Sequence, residues 1–517
     1  MRLLTLGLAA LIAALISIGS AEAATPTRYE IAADLDVARA RVEATQRTTY
    51  VNETGQPLAN LVFSVTPAYF RAFTLKSATV GGQPAPTSAD GSILEVTLPA
   101  PLAPGASATV ELAYAVQVPA PGGNRFGSAG GIIALGNWYP VLYPFRDGGW
   151  LTHQYTPIGD AFVTEAADYD VTLRPSTRVV AAFTGQTVSR EGDSFRAVAR
   201  GVRDFALALS TRYETASATV DGVTVTAYFL PEHRGGAAEY LRTGVEMLGW
   251  LNARLGGYPW GSLDIAETWS DDQNEVGQEY PGLIFISSGV TRAGGGMGSY
   301  LSYLIAHEVT HQWFYGIVGD DQVREPWLDE PFATYLPERF YAERYPAIFA
   351  ERWPRFRARL GDETARLGAR PIDDGIEDFR DEGIYFAVVY RRGAAFLDEL
   401  REALGDDPFW RLLRGFVERN AGKIARGSDF LASAQAAAGR ELKPLFQRYF
   451  RRTAVGRGAD WELVNGHFFT QTSGEQAGKG YRVGDDDRAR FWSEFKRLGG
   501  VDALGYPASR RFSWDGF

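Results

Sequence analysis

The chain has 517 residues, 45% hydrophobic and 22% charged, ordinary for a globular protein and long enough for about three domains with their own cores. A net charge of −10 and a pI near 5.3 argue against a nucleic-acid or anionic-membrane partner. There is no cysteine, and so no disulfide framework, no thiolate ligand and no cysteine for lipid attachment.

Residues 1–23 read as a secretory signal. Arg2 gives the positive start, Leu3 to Ile18 the apolar run, and Ala21-Glu22-Ala23 the small-residue cleavage site. A retained anchor is the alternative, since the run is near the lower limit of about 17 residues for a span. The Ala-x-Ala ending favours removal. The expectation is a secreted or otherwise extracytoplasmic protein with no stable membrane insertion after signal removal.

Residues 24–210 read as a large antiparallel β domain. Leu61, Phe63 and Val65 alternate with polar or small residues, and so do Val110, Leu112, Tyr114, Val116 and Val118. Glycine and proline clusters separate the runs, as at Pro101 to Gly105.

A second domain is expected over 211–455. A strand pair, Ala218 to Leu230, leads to a helix, Ala238 to Leu255, then strands at Leu263 to Glu267 and Leu283 to Ser287. The glycine-rich Gly294 to Gly298 lacks a following Gly-Lys-Ser/Thr, so it reads as an entry to the next helix and not a phosphate loop. Helices are predicted at Ala394 to Leu404, Pro408 to Asn420, Ser428 to Ala438 and Leu442 to Tyr449, with Ser428 as an N-cap. A small module is expected over 460–517, with a helix at Asp486 to Leu498 and a hairpin signal at Asp515-Gly516 whose returning strand is absent. The architecture is therefore α+β and multidomain.

The chemistry is concentrated at residues 307–311, His-Glu-Val-Thr-His. Histidines four apart share one face of a helix and can close on a single metal ion. Leu301, Leu304, Ile305, Val309 and Trp313 give the segment its apolar face. Glu308 sits beside the metal, where it can activate a water, and Glu330, after 18 intervening residues, supplies a third ligand. The fourth position stays open, as in catalytic zinc sites. His153, His233 and His467, the other three of five histidines, have no partner at ligand spacing.

His307-Glu308-Val309-Thr310-His311-Gln312-Trp313-Phe314 followed by Trp327-Leu328-Asp329-Glu330-Pro331-Phe332-Ala333-Thr334-Tyr335 resembles the signature of the aminopeptidase N family of zinc metallopeptidases. Gly277-Gln278-Glu279-Tyr280-Pro281-Gly282 is similar to that family's exopeptidase motif, and Val389-Tyr390-Arg391-Arg392-Gly393-Ala394 resembles its tyrosine motif. The resemblance covers about residues 25–452. It implies a β-sheet domain packed on a thermolysin-like catalytic domain with a helical half. It further implies one zinc ion on His307, His311 and Glu330, Glu308 as general base, Tyr390 as donor to the developing oxyanion, and Glu279 as partner of the substrate's α-ammonium. Tyr385 is the alternate to Tyr390. Losing an oxyanion donor typically costs about 10² to 10³ in rate.

Three positions depart from the family pattern. Val276-Gly277-Gln278-Glu279-Tyr280 replaces Gly-x-Met-Glu-Asn, Pro331 stands where glycine is usual, and Arg392 replaces a common lysine. The residue that the family's β domain contributes to amine binding is not located. The family's large C-terminal helical domain has no counterpart, which is expected to leave the cleft more open. The leading reading is a secreted zinc aminopeptidase acting on peptides. A zinc endopeptidase or oligopeptidase using the same site is the alternative, followed by a non-catalytic scaffold of the same fold. Leu498 to Pro507 weakly resembles repeat modules with a Leu-Gly-Phe/Tyr-Pro core, which points to cell-wall association of an incomplete module.

Overall fold

The computed structural model describes residues 26–270, 276–451, 460–463, 466–470, 480–484 and 491–498. The leader at 1–23, the acidic stretch at 271–275 and the hairpin signal at Asp515-Gly516 lie outside the described residues.

Alternation of large apolar and polar side chains builds the N-terminal half. Val110, Leu112, Tyr114 and Val116 on the strand Ser107–Gln117 are all at most 1% exposed. The strand lies inside an eight-stranded sheet whose centre is Ala167–Pro175, Arg28–Asp36, Arg41–Val51 and Ser107–Gln117. These pair antiparallel except for Arg28–Asp36 with Ala167–Pro175, which run parallel. Period-2 alternation sets which face a residue takes and carries no information about strand direction. Two four-stranded sheets complete this half, one ordered Val180–Phe183, Leu207–Ser210, Ile132–Leu135, Phe126–Ala129 and the other built on Leu58–Ser64 and Ile93–Leu102. Their inner faces share one core, with Tyr29 and Tyr169 stacked at 4.8 Å.

The second half opens with a five-stranded sheet in the order Glu214–Val220, Val223–Phe229, Ser262–Thr268, Leu283–Ser287, Gly277–Gln278. The three middle strands are parallel; Leu283–Ser287 is a continuous buried apolar run, as a strand covered on both faces requires, while Val223–Phe229 alternates. The helix Arg234–Leu255 covers one side, and Gly277–Gln278 forms the antiparallel edge. Helices follow at Tyr300–Thr310, Glu330–Arg344 and Pro346–Leu367, then Gly393–Leu404, Asp406–Asn420, Gly427–Ala437 and Lys443–Tyr449. Between Glu382–Tyr385 and Gly393–Leu404 the chain makes π-helical turns over Phe386–Arg392.

The helix expected behind a Ser428 cap begins instead at Gly427, with Arg426 at the cap position and no side-chain cap bond. Its first amide is satisfied from elsewhere: Gly427 N donates to Glu325 Oε1 at 3.2 Å. The distant carboxylate takes over the work of a local cap.

Arg203, 1% exposed at the end of Ser194–Val202, ties the two halves together. Its guanidinium donates to the carbonyls of Tyr315 (2.7 Å), Thr164 (2.9 Å), Lys423 (2.7 Å) and Ile317 (3.4 Å). A Cβ at Gly319 would overlap that guanidinium, so glycine is required there by space. In the C-terminal segment Asp460–Leu463, Gly466–Thr470 and Gly480–Gly484 pair antiparallel, and the described helix spans Phe491–Arg497. Among the described residues no helix is long and apolar enough to cross a membrane.

Candidate metal centre and cleft

The helix Tyr300–Thr310 starts where Ser299 caps it, its side chain accepting from Ser302 N. Leu301, Ile305 and Val309 anchor it in the core at 1% exposure or less. The opposite face brings His307 and, at the helix end, His311 to one point. Glu330 arrives as the first residue of the next helix. His307 Nε2 and His311 Nε2 are 3.1 Å apart, and Glu330 Oε2 is 3.2 Å from the first and 3.5 Å from the second.

These separations fit zinc. A tetrahedral ion with ligands at about 2.05 Å puts ligand atoms about 3.3 Å from one another. The two imidazole nitrogens face each other at 3.1 Å, and Glu330 Oε2 beside them is buried without a hydrogen-bond partner. Both features describe a donor set built around a cation.

Ligand protonation is held by neighbours that residue spacing alone does not single out. His311 Nδ1 is 2.5 Å from Asp329 Oδ1, and Asp329 Oδ2 accepts from Gln322 Nε2 at 2.7 Å. A carboxylate on Nδ1 fixes the tautomer that leaves Nε2 free for a metal. Burial alone would depress the His311 pKa, but Asp329 and Glu330 outweigh it and raise it well above the ordinary value. Burial lowers His307. Burial would raise Glu330, yet the two histidines hold it well below the carboxylate range. Burial pushes Glu308 well above that range, helped by Glu279, Glu330 and Asp329 against His311.

Gln312 locks the motif segment to this helix. Its Oε1 accepts from Gly282 N at 2.8 Å and its Nε2 donates to Tyr280 O at 3.1 Å. The edge strand Gly277–Gln278 thereby runs against the histidine helix. A Cβ at Gly277 would overlap Glu308 Oε1, so only glycine lets backbone and carboxylate approach this closely. Gln278 lines the cleft; Glu279, equally buried at 6% exposure, sets its carboxylate within 4.8 Å of ligand atoms of His311 and Asp329 and 3.4 Å from Gln322.

Tyr390 lies on the π-helical segment, its ring stacked on His307 at 5.9 Å and 4°. Its hydroxyl donates to Glu330 Oε1 at 2.7 Å, and burial raises its pKa well above the usual phenol value, so it keeps its proton. Tyr385 packs edge-on against it at 5.7 Å, with its hydroxyl end at Gly159. The departure at Pro331 has a local partner: a Cβ at Gly393 would overlap the Pro331 ring. The departure at Arg392 replaces a lysine with a guanidinium that donates to Arg370 O (2.7 Å) and Arg448 O.

His307, Glu308 and Tyr390 line a cleft of about 550 Å³. The β half contributes Arg125, Tyr155, Pro157, Gly159 and Asp160, with Arg125 and Asp160 paired. The helix Pro346–Leu367 contributes Arg352, Arg355, Phe356 and Arg359. His233 and His153 lie elsewhere: His233 pairs with Glu267 at 2.6 Å, and His153 Nε2 meets Ala161 O at 2.7 Å. His467 sits on a strand in the C-terminal segment.

Residues 242–449 match the peptidase family M1 domain. The chain is similar to human aminopeptidase O, 27% identical over 249 residues, covering 43% of this chain and 30% of that protein. It is 28% identical to aminopeptidase N of Streptomyces lividans over 144 residues, 27% of this chain and 17% of that one. The chain thus spans well under half the length of these curated relatives. In fold it is similar to the M1 zinc metallopeptidase from Deinococcus radiodurans, with TM-score 0.59, 20% identity, and coverage of 82% of this chain and 93% of that one. A variant of that enzyme bound to a Tyr-Ser-Ala substrate superimposes with TM-score 0.58 at 20% identity, covering 84% of this chain and 95% of that one.

Proposed function

Because this chain carries a domain of peptidase family M1, the zinc metallopeptidases related to aminopeptidase N, we propose that it is an aminopeptidase that removes N-terminal residues from peptides. The observation that carries the reading is the convergence of His307 Nε2, His311 Nε2 and the unpartnered Glu330 Oε2 within 3.5 Å of one another, facing a cleft. Zinc held by these residues would polarise the scissile carbonyl and make a water nucleophilic at neutral pH.

Glu308 is the proposed general base. It takes a proton from the attacking water and returns it to the leaving amine. The missing side chain of Gly277 leaves the room its carboxylate occupies. Tyr390 is the proposed donor to the oxyanion, a role that requires its hydroxyl to share or leave Glu330 Oε1. Asp329 orients His311. Glu279 is proposed to hold the α-ammonium.

The endopeptidase reading is the alternative, since Gln278 lines the cleft beside Glu279, whose carboxylate is buried next to His311 and Asp329. The test is hydrolysis of a panel of aminoacyl anilides with and without a chelator, alongside matched free and N-acetylated peptides. Aminopeptidase action requires that acetylation block cleavage. Cleavage that survives acetylation makes the enzyme an endopeptidase, and no cleavage of either form by zinc-loaded protein overturns both readings. Extracytoplasmic location rests on the leader-like residues 1–23, and cell-wall association on Leu498 to Pro507. Fractionation of the expressed full chain tests both.

A further inference from the structure

We propose that the cleft wall formed by the helix Pro346–Leu367 recognises a carboxylate on the peptide beyond the bond to be cleaved, with Arg355 and Arg359 as the receiving cations. The inference rests on the aminopeptidase reading and adds a substrate class to it.

Arg352, Arg355, Phe356 and Arg359 follow helical i, i+3, i+4, i+7 spacing, so one face of this helix is turned to the cleft, and all four line it. None of the helix's residues is fully buried, although Phe349, Trp353 and Phe356 stack in a row along it. The cations on the face are unequally matched by local carboxylates. Arg352 is engaged by Glu338 at 2.7 Å and lies over the Tyr303 ring at 4.5 Å. Glu363 is shared, accepting from Arg391 at 2.6 and 2.7 Å and from Arg359 at 3.2 Å. Arg355 meets Glu351 only at 3.7 Å, with side chains 79% and 73% exposed. Pairs of that kind contribute little and exchange readily. Glu382 also lines the cleft beside Arg359 and Arg391, so carboxylates match this wall's arginines in number, and Arg355 is the guanidinium with the weakest local engagement. A guanidinium fork matches the two oxygens of a carboxylate.

The packing order gives the direction. The edge strand Gly277–Gln278 packs on the histidine helix, that helix on Glu330–Arg344, and Glu330–Arg344 on Pro346–Leu367, which also touches the π-helical segment. An ammonium held at the Gly277–Glu279 edge and a carboxylate held at Arg355 and Arg359 thus lie on opposite sides of the metal ligands. The carboxylate has two chemical sources, the C-terminus of a short peptide or an acidic side chain of a longer one.

The experiment measures kcat/KM for three matched pairs on the zinc-loaded full chain: a tripeptide as free acid and as C-terminal amide, and amidated tripeptides with Glu or Gln at the second position and at the third. An aminoacyl anilide, which has the α-ammonium but no carboxylate, reports whether aminopeptidase activity exists at all, so its failure sinks the premise and not this inference alone. The wild type is expected to prefer the carboxylate member of a pair on the order of fivefold, less at high salt. Arg355→Gln with Arg359→Gln should bring that ratio close to one, and Arg355→Lys with Arg359→Lys should keep part of it. A changed free-acid ratio identifies the C-terminus as the source, and a changed Glu/Gln ratio identifies side chains. Ratios near one in the wild type, or ratios unmoved by the Gln variants, overturn the proposal.

Discussion

His233 Nδ1 lies 2.6 Å from Glu267 Oε1, and His311 Nδ1 lies 2.5 Å from Asp329 Oδ1, both carboxylates being fully buried. By distance and burial the pairs are alike. Their remaining valences differ. Glu267 also accepts from Leu230 N at 2.9 Å and from Ser288 Oγ at 2.5 Å, so both its oxygens are used and the cluster is closed. His311 turns its second nitrogen to His307 and to Glu330 Oε2, which has no hydrogen-bond partner. A histidine–carboxylate pair is thus no signature of a site. The unfilled side of the imidazole makes the difference, because a buried acceptor left without a proton or cation is costly to maintain.

The strongest way to break this contrast is to remove the open side. His311→Ala should lose zinc and all measurable hydrolysis, while His233→Ala should retain zinc, both read by metal analysis of the purified proteins. Zinc retained without His311 would make the three-ligand centre wrong. Next in size is Glu308→Gln, which should lower kcat by about 10² to 10⁴ with zinc content unchanged, because the amide cannot accept the water's proton. Near-normal turnover in that variant would remove Glu308 from its role.

Asp329→Asn sharpens the comparison from the other nitrogen. It should weaken zinc affinity by about 10- to 100-fold, measured by competition with a chelator. The raised His311 pKa adds a pH dependence: metal must displace a proton, so apparent affinity falls as pH falls and loading releases protons. Calorimetry in buffers of different ionisation enthalpy reads that release.

The smallest effects concern stability. His233→Ala should cost about 1 to 3 kcal/mol, since Glu267 would be left buried with one partner fewer. Asp264 is the control, a buried carboxylate with no imidazole beside it, whose pKa burial pushes up to about 7. Between the unfolded value of about 4 and this folded value the native state holds the extra proton. Stability is therefore lost as pH rises through that window. Asp264→Asn should shrink the difference in melting temperature between pH 5 and pH 8, by on the order of 2 kcal/mol in stability. An unchanged difference would show that Asp264 titrates normally.

What the sequence made legible follows from how rigid each inference is. Histidines four apart on a helix must share a face, so spacing alone brings His307 and His311 together. Alternation exposed the β half in the same way, through Val110 to Val116. It could not show the parallel pairing of Arg28–Asp36 with Ala167–Pro175, because direction leaves no trace in a period of two. Asp329 stood in plain view beside Glu330, yet nothing in its spacing says which nitrogen of His311 it meets. Gln278 ends the edge strand and Glu279 follows it, and how each is turned depends on how Gln312 pins the segment. Arg203 reads as an ordinary strand-end cation, because its four carbonyl partners are up to 220 residues away in the chain.

The π-helical stretch Phe386–Arg392 has a consequence for insertions and deletions. A π turn holds one residue more than an α turn, so the stretch stores a surplus of chain between Tyr385 and Gly393. Deleting a residue between Tyr390 and Gly393 removes that surplus, so the run can close as an α-helix with its two ends nearly in phase, whereas a deletion inside Gly393–Leu404 would turn the chain beyond it by about 100°. The surplus lies where it matters, between the phenol stacked on His307 and Gly393 seated against Pro331. The aim of this side chain is set by how many residues precede the helix as much as by which residues they are.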